Sequence, residues 1–145
     1  MNCVICDRLE NIKKSPRLIH EFSNSYLVVG DHQFYSGYAV LFFKNHAREM
    51  HDLSEPIRSA FFNELMSAGK AVAAAFRPWK VNYASLGNQD PHLHWHIFPR
   101  YESDPQHRQH PWANADQFTA FATTDEQAKL TAMKIREFLA LECKS

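Results

Sequence analysis

The chain has 145 residues, 45% of them hydrophobic and 22% charged, the composition of an ordinary globular domain large enough to bury a core. Its 16 Lys and Arg balance 16 Asp and Glu, so nothing marks it as a partner of nucleic-acid polymers or anionic membrane surfaces. No apolar run approaches the roughly 20 residues that span a bilayer. Three cysteines, two of them in Cys3-x-x-Cys6, do not make a disulfide framework. Met1 to Asp7 lacks a basic segment followed by an apolar one, so cytoplasmic residence is the expectation.

In chain order, Arg17 to Phe22 and Ser25 to Gly30 read as two short strands joined by a tight turn at Ser23-Asn24. Asp31 to Gly37 is a polar and aromatic loop. Tyr38 to Phe43 is a nearly all-apolar third strand, expected at the sheet centre and closed by Lys44-Asn45-His46. A helix follows, with Ser54 as N-cap, Pro56 in its first turn and an end near Arg77-Pro78. Its apolar positions Ile57, Phe61, Leu65, Ala68, Val72 and Ala75 recur at spacings of three and four. Val81 to Leu86 is a fourth strand, and Gly87 to Pro91 a short polar turn into the fifth, with antiparallel pairing across it. Tyr101 to Asn114 reads as an irregular loop. Thr123-x-x-Glu126 has the pattern of a capping box for a last helix with the stripe Ala128, Ala132, Ile135 and Leu139. The sum is a single α+β domain over residues 1–145, an antiparallel sheet of about five strands with two main helices. Its core is expected over about 3–101, with a loop and helix in 102–145.

Chemistry concentrates in Pro91-His92-Leu93-His94-Trp95-His96-Ile97-Phe98-Pro99-Arg100. Strict alternation means a half-buried strand, with His92, His94 and His96 on one face and Leu93, Trp95 and Ile97 on the other. Three readings stay open from the residues alone. The row can be a polar strand face, a set of metal ligands, or a histidine nucleophile with flanking helpers, since neutral imidazole attacks phosphorus and then leaves well.

His92-x-His94-x-His96-x-x-Pro99-Arg100 resembles the signature of the histidine triad family of nucleotide hydrolases and transferases. The Cys-x-x-Cys start, Lys44-Asn45-His46, Asp52-Leu53 before a helix, and Asn82 to Asn88 ahead of the triad extend the likeness over about residues 3 to 101, toward bacterial members described as diadenosine-polyphosphate hydrolase-like. The resemblance implies the family's sheet and a nucleophilic His94 that attacks the α-phosphate of a nucleoside 5′-phosphate derivative, forming a nucleotidyl-histidine that water releases. It gives His96 contact with the leaving-group oxygen and Asp31 a contact to the ribose. Asn88 and Gln89 can aim amide donors at phosphate oxygens, or serve only the turn. Arg100 is expected to pair with a carboxylate and fix the strand end.

Zinc-bearing relatives, including the galactose-1-phosphate uridylyltransferase branch, imply a structural zinc on Cys3, Cys6, His46 and His92. No organic cofactor is expected. A homodimer built on the main helix and a sheet edge is expected by analogy alone. One departure stands out: where the family commonly carries a fourth histidine, this chain has Ser36-Gly37-Tyr38. A second is a shortened turn before the triad, without the usual glycine-rich Gly-Gln segment. A nucleotide-binding module with little turnover is therefore the alternative, and a metal-dependent hydrolase a third reading. Trp112 packs near the base or covers the core, and Cys143 is expected as a free thiol near the end of the last helix.

Overall fold

The computed structural model describes residues 2–142; Cys143 lies outside them. Five strands form one antiparallel sheet: β1 (Leu18–Glu21), β2 (Ser25–Val29), β3 (Ala39–Phe43), β4 (Lys80–Ala84) and β5 (His94–Arg100). They lie in the order β1-β2-β3-β5-β4. The all-apolar β3 is central, buried at every position. The short polar turn does pair β4 with β5 antiparallel, Ala84 opposite His96 and Asn82 opposite Phe98.

The period of two sorts the side chains into two cores. On one face Leu27, Val29, Leu41, Phe43, Leu93 and Ile97 pack with the helices α2 (Glu55–Phe76) and α3 (Asp125–Glu142). On the other, Val28, Val40, Phe42 and Phe98 pack with Tyr35, Tyr38 and the N-terminal helix α1 (Val4–Glu10). The histidine face is thus covered by structure rather than open along its length. The helix α1, with Cys3 as its cap, is an element absent from the sequence reading. Seven residues carry too little amphipathic signal to announce a helix.

The predicted helix stripes hold with local changes. In α3 all four expected positions are buried, whereas in α2 Ile57 is exposed and Phe61, Leu65, Ala68, Val72 and Ala75 face the sheet. Ser54 occupies the N-cap position of α2 without a side-chain bond, and Arg77 ends the helix in the left-handed region at φ 48°. The capping box of α3 lies one residue later than its sequence pattern: Thr124 Oγ1 accepts from Gln127 N–H at 3.2 Å, and Gln127 Oε1 accepts from Thr124 N–H at 3.1 Å. Thr123 is instead buried and donates to the Gly30 carbonyl at 2.7 Å. Part of the expected irregular loop is ordered as 3₁₀ turns over Pro111–Phe121.

Candidate active site and metal centre

The ladder of β5 begins at His94; His92 precedes it. There the chain leaves the sheet so that Leu93 N–H reaches the Ala47 carbonyl at 2.7 Å. His92 Nε2 donates to the Phe43 carbonyl at 2.8 Å. That bond assigns the ring proton to Nε2 and leaves Nδ1 bare. The bare nitrogen stands 3.5 Å from Cys3 Sγ and 3.4 Å from Cys6 Sγ, and His46 Nδ1 stands 3.6 Å from Cys6 Sγ. All four donor atoms lie within 4.8 Å of one another. With Zn–S about 2.3 Å and Zn–N about 2.0 Å, the edges of a tetrahedral site run roughly 3.3–3.8 Å. The two sulfurs, two nitrogens and the oriented second nitrogen of His92 therefore fit zinc with little movement.

His94 turns its Nδ1 to the carbonyl oxygen of its own neighbour in the row, His92, at 2.6 Å. Nδ1 is then the protonated nitrogen, and Nε2 keeps a lone pair. Ser85 Oγ donates to the His94 carbonyl at 2.7 Å and pins that strand residue from β4's end. The ring of His96 stands edge-on to His94, centroids 4.9 Å apart. Its Nδ1 lies 2.7 Å from the Tyr38 hydroxyl. Burial, with the neighbouring His94 and His32 adding to it, lowers His96 to a pKa of about 4, so it is neutral at physiological pH.

Two adjoining pockets share Asp31, Asp90, His94 and His96. The smaller, about 110 Å³, has an apolar wall of Ile5, Val29, Val40 and Phe42. The larger, about 430 Å³, is lined by Leu86, Gly87, Asn88, Gln89 and Trp112. The histidines sit on the boundary. Asn88 and Gln89 are exposed at its rim, and Trp112 stands edge-on to His96 with centroids 5.2 Å apart.

Asp31 is held by two arginines that sequence reasoning did not connect with it. Arg8 Nη2 donates to its Oδ1 at 2.9 Å, and Arg17 Nη1 donates to the same oxygen. Partial burial works to raise this carboxyl, but the two guanidiniums outweigh it and hold the pKa below the ordinary value. His32, without motif support, proves to be a buried ring stacked between Phe118 (3.8 Å) and Tyr38 (4.7 Å). Burial lowers its pKa to about 4. Gln33 ties the same loop, its Nε2 donating to the Tyr38 carbonyl at 3.0 Å and its Oε1 accepting from Gly37 N–H at 2.9 Å. No periodic or motif signal marks His32 or Gln33, because their roles come from loop closure. Arg100 meets its expectation: only 1% exposed, it donates to Asp104 Oδ2 at 3.2 Å and to Asn82 Oδ1 at 2.9 Å.

The family model of the HIT domain matches residues 12–103. The chain belongs to the HIT domain family. Its members are generally nucleotide-binding proteins and hydrolases. No curated protein matches the chain in sequence. Among solved structures, a histidine triad protein from Marinobacter aquaeolei superposes with a TM-score of 0.76 at 21% identity, covering 91% of this chain and 94% of that one. One from Bradyrhizobium japonicum gives 0.73 at 22% identity, covering 84% and 89%. A zinc-bound histidine triad family protein from Mycobacterium smegmatis gives 0.71 at 17% identity, covering 100% and 99%. At these identities the likeness speaks for the HIT fold alone. Among the described residues no helix is long and apolar enough to cross a membrane.

Proposed function

We propose that this HIT protein is a nucleotidyl hydrolase or transferase that works through a covalent bond between His94 and the α-phosphorus of a nucleoside 5′-phosphate derivative. The observation that carries the reading is the 2.6 Å bond from His94 Nδ1 to the His92 carbonyl. It leaves Nε2 unprotonated on the boundary between the two pockets, as a nucleophile requires. In the first step the Nε2–P bond forms while the bond from phosphorus to the leaving group breaks, and the electron pair goes with the leaving group. Water then attacks phosphorus, the P–N bond breaks, and a nucleoside monophosphate departs with His94 restored. Phosphoryl chemistry of this kind asks mainly for positioning and for stabilisation of spread negative charge.

The remaining site residues take supporting roles. The apolar wall of Ile5, Val40 and Phe42 suits a nucleobase, and Asp31, anchored through one oxygen, has the other to accept from ribose hydroxyls. Asn88 and Gln89 offer amide donors to phosphate oxygens on the leaving-group side. His96 contacts the leaving atom. Cys3, Cys6, His46 and His92 would hold a structural zinc, since together they offer the four protein ligands of a closed site. A homodimer is supported by Phe62 and Met66 of α2 and by Trp79 and Tyr83 at the β4 edge, all exposed apolar side chains.

A second reading, a nucleotide-binding module with little turnover, is favoured by Tyr38 at the place of a commoner histidine. Rapid-quench intact-mass measurement separates the two. Mixed with diadenosine polyphosphate or an adenosine phosphoramidate, the enzyme accumulates an adenylate adduct that His94→Ala lacks. Tight nucleotide binding with neither adduct nor released monophosphate would establish the module instead.

A further inference from the structure

We propose that Tyr38 is a positioning residue that locks His96 as a hydrogen-bond donor without a proton to give, so that the site cleaves phosphoanhydrides and discriminates against amine leaving groups. The inference rests on the reading of His94 as nucleophile and His96 as the group facing the leaving atom.

The Tyr38 ring has one available place. It stacks on Phe98 with centroids 4.2 Å apart and planes 7° from parallel, and on His32 from the His32 side at 4.7 Å. It also lies so close over Gly30 that a Cβ there would meet its Cδ1 at 2.1 Å. Its backbone is gripped as well, the carbonyl accepting from Gly30 N–H at 2.9 Å and from Gln33 Nε2 at 3.0 Å. The hydroxyl of this 6% exposed residue meets His96 Nδ1 at 2.7 Å, its one partner among the described residues.

A phenol in such a place donates. If His96 Nδ1 carried the proton and donated to the phenol oxygen, the phenol's own hydrogen would be buried without an acceptor. Tyr38 therefore donates to Nδ1, and the single proton of the neutral imidazole sits on Nε2. That N–H can stabilise an oxygen that departs with its electron pair. It cannot be surrendered, because the ring would become an imidazolate, and Tyr38 does not resupply it: burial raises the phenol well above its usual pKa. The pocket's carboxyl side chains, Asp31 and Asp90, accept rather than donate once ionised.

As the His94 Nε2–P bond forms, the P–O bond to a phosphate or polyphosphate breaks, and the pair stays on that oxygen as an anion hydrogen-bonded to His96. No proton changes hands. A P–N bond breaks readily only when the nitrogen receives a proton, and this pair of residues withholds one. A histidine at position 38 would differ, since imidazole can both accept and deliver a proton near neutral pH.

The test combines kinetics with a readout of the tautomer. Wild-type enzyme should cleave diadenosine tetraphosphate with kcat exceeding that on adenosine 5′-phosphoramidate by about a hundredfold or more, the usual worth of general acid catalysis. Tyr38→His should narrow that ratio by at least about tenfold. Nitrogen-15 spectra of wild-type His96 should show one tautomer, protonated at Nε2, and Tyr38→Phe should turn this into a mixed pattern while the fold is retained. Equal cleavage of both substrates by wild type, or an Nδ1-protonated His96, would overturn the proposal. Because the spectra need no turnover, they decide the tautomer even where absence of an adduct on His94 defeats the proposed function itself.

Discussion

His92 faces two ways: its carbonyl oxygen holds Nδ1 of His94 at 2.6 Å, while its own imidazole turns Nδ1 toward Cys3 and Cys6 at 3.5 and 3.4 Å. One residue thus belongs both to the cysteine and histidine cluster and to the device that sets the tautomer of the proposed nucleophile. The N-terminal helix α1, which brings Cys3 and Cys6, also supplies Ile5 and Arg8 to the pocket wall. The cysteine and histidine cluster and the proposed nucleophile are thus joined through the backbone of one residue.

Stripping the metal should therefore cost both stability and rate. Purified protein should carry about one zinc per chain by elemental analysis, and Cys6→Ser should lose it. Apo-protein should melt several degrees lower, about 2–4 °C for each kcal/mol lost in a chain of this size. Turnover should fall with it and return on adding zinc. An unchanged melting temperature in Cys6→Ser would remove the metal from the account.

Asp31→Asn tests the ribose contact. Replacing the carboxylate weakens a charge-assisted hydrogen bond, so KM should rise about tenfold while kcat holds. The penalty should vanish for a 2′,3′-dideoxy nucleotide. If it persists there, Asp31 acts only through Arg8 and Arg17, as an anchor of α1.

Acid should destabilise the fold through buried neutral imidazoles. His32 and His96 fall from an ordinary 6.5 to about 4 in the folded chain. Above pH 6.5 neither state binds the proton; between 6.5 and 4 the unfolded chain alone does, so unfolding is favoured as pH falls. The slope is at most about 1.4 kcal/mol per pH unit for each ring. Urea midpoints from pH 7 to pH 4 should decline accordingly. His32→Phe, which keeps a ring stacked against Phe118 and Tyr38, should flatten that decline.

Arg100 anchors the loop after β5. Beyond Asp104 and Asn82 it donates to the Gln109 carbonyl at 2.8 Å, and its guanidinium lies over the Tyr35 ring at 4.7 Å. Arg100→Met takes the charge partner from Asp104, whose Oδ2 then keeps only the Tyr101 N–H at 2.8 Å, and strands the Asn82 and Gln109 acceptors, at a cost of about 3 kcal/mol. Chemical denaturation should show the loss, and the double variant with Asp104→Leu should recover part of it.

The row of histidines, the five strands and the burial stripe of α3 were legible in the sequence because periods of two and of three to four are local properties. Each residue's neighbours along the chain decide which face it joins. Arg100 was readable for a related reason, since its carboxylate partner lies only four residues away. Cap placement at Thr123 and Thr124 was not, because both threonines satisfy the local pattern and only the Gly30 carbonyl, 93 residues distant, decides which one is taken from the cap.

What tertiary structure decided are the pairings that make a site. Tyr38 reaches His96 across 58 residues, Asp31 meets Arg8 across 23, and Cys3 meets His92 across 89. No periodicity encodes such distances. They are set when β3 and β5 pair with Val40 opposite His96, which carries Tyr38 beside Phe98, and when α1 folds over that face to bury Ile5 and Leu9. The residue types of the site belong to the sequence, while the proton positions that give them their chemistry follow from register and packing.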